Sequence, residues 1–468
     1  MNLQSVLLTG LAVIFLSGCL ANPLSSGDPH GDDIVSRRDR EEAYTHYCMG
    51  SYYEVHQDLD RALVEYKKVL AVDPDAYEAV LKVGSIYLGK GDTERSVMWL
   101  ERARRQKPDA YQPAFLLATA LYKAERTEEA EEEYRAAIEL APDNLAPYLL
   151  LGSLLTADKE NEEAVEIYRD GTEYFPEEAT LWFRIGMAYT RLKDLPRSIE
   201  YFQKALELVP DSLEARLALA LAYDLNDQDV KAINEYEYAL LLAPLNASIH
   251  RRLGILYYGI GNLPAAITAF ERLIKLEPES PDILFFLGNA YLNNGNYADA
   301  IEAYRRTISL GSEDPRVYFN LGAAHERNGD FTAAVEKFEE AIERDPRNPE
   351  AYNYLGYMYA EKGIKLDEAR ELILRALEME PDNGAFIDSL GWVYFKQGEI
   401  EKAIDRLKTA AALLPRDPTI YDHLGDAYAR QGRIEEAVKQ WQKALSLTPP
   451  DADEIREKIE KTGTAVPE

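Results

Sequence analysis

Six histidines, two cysteines and 82 acidic side chains are the first residues of this 468-residue chain to consider for moving protons, attacking a carbonyl or holding a metal. Their spacing suits none of those reactions. His30, His46, His56, His250, His325 and His423 stand singly, without the nearby Cys or His that a zinc site needs. No nucleophile elbow, phosphate-binding glycine loop or dinucleotide fingerprint occurs. The carboxylates belong to solvated helix faces and predict no acid–base pair. Cys19 and Cys48 give no disulfide framework. The side chains that remain suit recognition: Asn, Arg and aromatic residues recur between Arg251 and Phe395. Asn bonds both the N–H and the C=O of a peptide, and Tyr, Trp and Arg are the types that anchor interfaces. The chain is therefore expected to have no catalytic site, no cofactor, no metal and no small-molecule substrate.

Charge narrows the partners. The net charge is −30, from 52 basic and 82 acidic residues. Nucleic acid needs a basic surface to displace its counterions, so it is excluded, and adhesion to anionic lipid head groups is disfavoured for the same reason. An acidic surface keeps a protein soluble and would also attract a basic partner. A hydrophobic content of 46% leaves ample material for a core.

The elements that position these residues follow from punctuation. Prolines stand at 74, 108, 142, 176, 210, 244 and 278, each 34 residues after the last. Ser312 takes the next slot and Pro346 the one after, and one inserted residue moves the rest to Pro381, Pro415 and Pro449. Twelve units then run from Ala43 to Asp451, with the insertion in repeat ten near Gly363–Asp367. Position 8 of each unit is Gly in ten cases, with Ala118 and Ala220 in the others, and position 20 is always Ala or Ser. Two helices touching at those positions need small side chains there. Aromatic residues at positions 11 and 24 fill the space beside the contact, as in Tyr189 with Phe202 and Tyr257 with Phe270. Position 11 also holds His325, which is expected to pack. Gly at position 15 (Gly91, Gly261, Gly295, Gly329, Gly363, Gly398, Gly432) ends the first helix in a left-handed conformation. The proline at position 32 ends the second.

A 34-residue period with this pattern is the signature of the tetratricopeptide repeat, which residues 43–451 closely resemble. The resemblance implies an all-α fold, a right-handed superhelical solenoid of about twelve helix-turn-helix repeats. Residues 452–468 resemble the solubilising end of such an array: a capping helix with Ile455 and Ile459 on one side, Glu454–Lys458 and Glu457–Lys461 pairs, and a disordered tail beyond Gly463.

In this family positions 2, 5, 6, 9, 12 and 13 of the first helix line a concave groove. In the first six repeats these positions give a mostly apolar wall of Tyr44, Tyr47, Leu81, Phe115, Leu116, Tyr122, Leu149, Leu150, Phe183 and Leu217, interrupted by Arg184 and Arg191. Repeats seven to eleven present Arg251, Arg252, Tyr258, Phe285, Phe286, Asn289, Asn293, Arg316, Phe319, Asn320, Arg327, Asn353, Tyr354, Tyr357, Trp392 and Phe395. This set is the candidate binding surface for an extended peptide. Repeat twelve turns acidic, with Asp422 and Asp426. The family's carboxylate clamp, with Lys at positions 2 and 5 and Asn at 6 and 9, is absent.

The N-terminus supplies an address. Val6–Leu16 is an apolar run too short to span a bilayer and typical of a signal-peptide core. Leu16-Ser17-Gly18-Cys19 resembles the bacterial lipobox, which implies a signal peptide at 1–18 and lipidation of Cys19. Met1–Ser5 has no Lys or Arg, and simple cleavage after Ala21 is the alternative. Leu20 is not the Asp that resembles an inner-membrane retention signal, so the expected location is the outer membrane, facing the periplasm. Residues 19–42 are polar, rich in turn formers, and expected to form a flexible tether. The chain thus resembles bacterial tetratricopeptide lipoproteins, scaffolds that bind partner proteins for envelope, secretion or pilus assembly. Two alternatives are a component of an exopolysaccharide export complex and an adaptor recruiting peptidoglycan hydrolases.

Overall fold

A computed structural model describes residues 37–463. The apolar run, Cys19 and most of the expected tether lie outside the described residues, as does the tail from 464. Among the described residues there are 25 helices and no strand. They divide into two compact units, Met1–Pro244 and Leu245–Glu468.

Each repeat is a pair of antiparallel helices, A then B. In the first unit repeat one pairs α1 (Arg37–Val55) with α2 (Leu59–Val72), and repeat two α3 (Tyr77–Gly89) with α4 (Thr93–Gln106). Repeat three pairs α5 (Tyr111–Lys123) with α6 (Thr127–Leu140), and repeat four α7 (Leu145–Ala157) with α8 (Asn161–Tyr174). Repeat five pairs α9 (Ala179–Arg191) with α10 (Leu195–Leu208), and repeat six α11 (Leu213–Leu225) with α12 (Asp229–Leu242). The second unit continues with α13 (Ala247–Gly259) and α14 (Leu263–Leu276), then α15 (Pro281–Asn293) and α16 (Tyr297–Ser309). Repeats nine and ten are α17 (Pro315–Arg327) with α18 (Phe331–Arg344), and α19 (Pro349–Lys362) with α20 (Leu366–Met379). Repeats eleven and twelve are α21 (Gly384–Gln397) with α22 (Ile400–Leu413), and α23 (Pro418–Arg430) with α24 (Ile434–Leu445), before the end helix α25 (Ala452–Glu460).

The helices start and stop where the sequence tells them to. Asp58, Asp92, Asp194 and Asp330 at position 16 accept the backbone N–H three residues on, capping the B helices. Asn144, Asn246, Asn348 and Asp417 cap A helices from the end of the preceding repeat, accepting a backbone N–H two or three residues on. Position 15 is left-handed in every repeat. Seven repeats place Gly there, from φ +66° at Gly363 to +83° at Gly329, but Gln57, Glu125, Lys159, Lys193 and Asp227 adopt the same conformation at φ +53° to +70°. The inserted residue of repeat ten is in the turn, where Lys365 adds a second left-handed residue at φ +48° before α20. The first described helix is Arg37–Val55, so residues 37–42 of the expected tether are helical. Arg37-Arg-Asp-Arg-Glu-Glu42 is made of residues that tolerate a helix well.

Within a repeat the helices meet where expected, and the contact is closer than the pattern implied. The position 24 ring lies directly on the position 8 glycine: a Cβ on Gly152 would sit 2.4 Å from the Tyr168 ring, and one on Gly186 2.6 Å from Phe202. Ser96 and Ser198 at position 20 donate to the carbonyls of Gly84 and Gly186 at 2.9 and 3.0 Å. His325 is buried, as its core slot requires. Burial, with the nearby Arg305, holds its pKa below the ordinary histidine value.

Within each unit successive A helices approach one another closely, α3 to α5 and α9 to α11 in the first, α15 to α17, α19 to α21 and α21 to α23 in the second. Successive B helices make no comparable approach.

Candidate functional site

The A helices of the second unit carry the amide, aromatic and arginine side chains. Side chains of adjacent A helices meet in a fixed way: position 9 faces position 6 of the next repeat, and position 12 faces position 13. Asn289 and Asn320 obey the first rule. Asn289 Oδ1 accepts from Asn320 Nδ2 at 2.8 Å and from the Tyr304 hydroxyl at 2.7 Å. Burial raises the Tyr304 phenol well above its ordinary pKa, so it stays a donor at neutral pH. Tyr258 and Asn293 obey the second, Asn293 Nδ2 donating to the Tyr258 hydroxyl at 2.6 Å. These amides are already engaged in the unliganded chain.

Beside them lies a ladder of rings. Phe285 packs against Tyr304 at 6.1 Å and Phe319 against Phe338 at 5.5 Å, each within its own repeat. Position 6 rings lie over the buried position 24 ring of the repeat before: Phe286 on Phe270 at 6.1 Å and 13°, Tyr354 on Phe338 at 5.7 Å and 25°. Phe286 is 40% exposed and Tyr354 39%, the two large rings of the predicted set that stay open. The Arg316 guanidinium stands 5.5 Å from the Phe285 ring centre and is held by its N-cap Asp314 at 2.6 Å. Asn353 is half-buried, and its Oδ1 is buried without a hydrogen-bond partner.

Other predicted site residues are placed elsewhere. Arg251 is bound to Glu277 at 2.6 Å, next to the end of α14, and Arg252 is half-buried. Arg327 is exposed beside Glu326 at 3.4 Å. Tyr357 is half-buried, and burial followed by Glu361 pushes its phenol well above the ordinary value. Trp392 is a correction. It is only 7% exposed, stacked between Phe395 (4.8 Å) and His423 (4.1 Å), with its indole N–H donating to Glu361. His423 is the position 6 residue of the next repeat, and its ring covers the indole. The acidic end of the groove is a second correction: Lys458 of α25 lies 2.8 Å from Asp422 and 2.9 Å from Asp426 rather than pairing with Glu454. The expected Glu457–Lys461 pair is present at 3.5 Å.

Sequence reasoning missed His423 and Asp388. His423 Nδ1 is 3.0 Å from Asp388 in a buried pair. Burial alone would lower the imidazole pKa, but Asp388, then Asp422 and Asp426, outweigh it and raise the value. The available signal was the 35-residue separation, which puts positions 5 and 6 of neighbouring repeats side by side.

In the first unit the apolar wall is largely core. Tyr47, Leu81, Phe115, Leu116, Leu149 and Leu150 are all buried, whereas Tyr44 and Tyr122 remain open. These six buried side chains belong to the core clusters that run between neighbouring repeats.

Comparison with known proteins fits this geometry. Tetratricopeptide repeat models match residues 49–111, 121–184 and 179–212. The model of the Cilia and flagella-associated protein 70 C-terminal domain matches residues 213–460, more than half of the chain. The chain belongs to the tetratricopeptide-repeat family. Within it, residues 213–460 belong to the domain family of that ciliary protein. A TPR repeat-containing protein of Pseudomonas aeruginosa is 39% identical over 59 residues, a match that spans 13% of this chain and 10% of that protein. Among solved structures, a chain of the APC/C hetero-tetramer Cut9–Hcn1 is similar over 91% of this chain and 96% of its own length, at 15% identity and a TM-score of 0.43. Yeast Tom70 is similar over 90% and 96%, at 16% identity and a TM-score of 0.39. Tetratricopeptide arrays of this kind bind other proteins or peptides, and their stacked repeats provide extended binding surfaces.

Proposed function

We propose that this tetratricopeptide chain is a non-catalytic scaffold that holds an extended segment of a partner protein along the A helices of repeats eight to ten. The observation that carries the reading is the pair of open rings, Phe286 and Tyr354, each seated on a buried ring beneath it. An exposed ring fixed from below can anchor a partner side chain with little loss of conformational entropy. The rings stand two repeats apart, which at about 9 Å per helix spacing is roughly five or six residues of extended peptide. Asn289 and Asn320, bonded to each other, and Arg316, paired with Asp314, belong to the A helices of repeats eight and nine and keep further N–H groups for the peptide backbone.

The proposed address is the bacterial outer membrane, periplasmic side, through lipid on Cys19, in the service of envelope, secretion or pilus assembly. Its support is the Leu16-Ser17-Gly18-Cys19 tetrapeptide after an apolar run. The kinship with a ciliary protein's domain bears on the scaffold surface, which is independent of where the chain is anchored. Affinity purification of the full chain beside a Phe286→Ser/Tyr354→Ser variant tests the surface. Partners lost from a variant of unchanged helicity support it, and an identical partner set contradicts it. Cys19→Ala tests the address: release from the membrane fraction is expected, and unchanged sedimentation with membranes refutes lipidation.

A further inference from the structure

We propose that Arg184 and Arg191 in repeat five form, with Ser153 and Thr156 of repeat four, a pocket that binds a single carboxylate of a partner protein. The pairing of A helices makes the pocket. At the 9-to-6 contact between repeats eight and nine Asn289 meets Asn320, and between eleven and twelve Trp392 meets His423. Between repeats four and five the same contact pairs Ser153 with Arg184, and Ser153 is too short to fill the space. The 12-to-13 contact pairs Thr156 with Arg191. The Thr156 hydroxyl is turned back to the Gly152 carbonyl at 2.6 Å, and Arg191 reaches only the Thr156 carbonyl, at 3.1 Å.

The result is a cavity of about 190 Å³ lined by both guanidiniums, Ser153, Thr156 and Tyr168, with Met187 on its apolar side. A drug-sized ligand needs about 300 Å³ or more, so this space suits one side chain or chain end. Neither guanidinium is ion-paired among the described residues, although the chain carries 82 carboxylates. Their neighbours contrast with them: Arg197 holds Asp194 at 2.6 Å, and Arg135 holds Glu131 and Glu163 at 2.7 and 2.9 Å. Burial raises the Tyr168 phenol pKa, and the Ser153 bond, Arg184 and Arg191 all pull it back down, so both cations act on the same point.

Planar guanidiniums with several N–H groups each match a carboxylate's two oxygens. A polyphosphate chain would need basic surface beyond the pocket, and the net charge of −30 opposes it. One repeat further on, Leu221 and Leu225 of α11 are 41% and 53% exposed at positions 9 and 13. A helix spacing of about 9 Å is about three residues of extended chain. The partner segment therefore carries an acidic residue, or its own C-terminus, about three residues from an apolar side chain.

Fluorescence anisotropy on the full chain tests this with the fluorescein-labelled, amidated peptide Gly-Ser-Glu-Gly-Ser-Leu-Gly-Ser-Gly, its reversed order, and the Gln version of each. The expected result is binding of a Glu peptide at least tenfold tighter than its Gln version, weakened by added salt. Arg184→Gln/Arg191→Gln abolishes the preference, Arg184→Lys/Arg191→Lys retains part of it, and Arg105→Gln on α4 leaves it unchanged. A Gln peptide with a free C-terminus separates the two carboxylate sources, and its tighter binding would support the pocket with a chain terminus as ligand. Equal binding of all peptides up to 1 mM, or a preference that survives in the double Gln variant, overturns the proposal.

Discussion

Replacing Lys458 by Met isolates the contact that closes the array. The methionine keeps the apolar stem, so Ile455 and Ile459 stay packed under repeat twelve, where both are fully buried. What is lost is an ammonium 2.8 Å from Asp422 and 2.9 Å from Asp426. Charge-assisted hydrogen bonds contribute about 1.5–3 kcal/mol each, and removing one partner of a buried pair costs about 3–5 kcal/mol. The Lys458 side chain is 30% exposed, so solvent screens part of this and a loss of about 2 kcal/mol is expected. That is about a 30-fold rise in the opening equilibrium of α25, readable as faster amide exchange over residues 452–460 by mass spectrometry. The pH dependence adds a check of sign. Burial and then Asp426 already raise the Asp422 pKa, and without the ammonium it rises further. A carboxyl with a raised folded pKa binds its proton more tightly in the docked state, so docking of the variant strengthens as pH falls. The gap between Lys458→Met and the parent chain should shrink between about pH 7 and about pH 5. Unchanged exchange in α25, or a gap that widens in acid, would refute the reasoning.

Other outcomes follow from the same structure. Lys193→Gly or Lys159→Gly should raise the urea midpoint of the first unit by the equivalent of up to about 1 kcal/mol, because both residues hold a left-handed conformation; a loss of stability would contradict the φ assignment. Gly152→Ala puts a methyl 2.4 Å from the buried Tyr168 ring and should cost about 1–2 kcal/mol after the gain in helix propensity, whereas Gly322→Ala, at 3.1 Å from Phe338, should be near neutral. Equal effects in thermal melts would mean that ring contact does not set the cost. His423 has a raised folded pKa, so its pairing with Asp388 contributes stability that is full below its ordinary value and lost as pH rises through the folded value. Urea unfolding followed by tryptophan fluorescence should shift to lower midpoints between about pH 6 and about pH 8, and His423→Gln should abolish that slope.

The features legible in the sequence were those that recur every 34 residues. Glycine at positions 8 and 15 and proline at 32 each do one local job, and a job repeated up to eleven times announces itself. The insertion in repeat ten was legible for the same reason, as a single break in an otherwise constant interval. Contacts between repeats were not. Trp392 and Asn289 hold the same position 9, yet one is covered by an imidazole and the other is held in an amide pair, because position 6 of the next repeat differs. Lys458 has a partner four residues away in sequence and chooses two that lie 36 and 32 residues away. Charge pairing along one helix is a local rule, and a buried carboxylate pair on the neighbouring helix outweighs it.

The central claim is that the A-helix face around Phe286 and Tyr354 holds a partner protein. A photoreactive amino acid placed at either position in living cells tests it most directly, with the exposed Arg105 of α4 as the control site. Discrete crosslinked species at 286 and 354, shared between the two sites and missing at 105, are the predicted result. Crosslinking at the two ring positions no greater than at Arg105 would contradict the account.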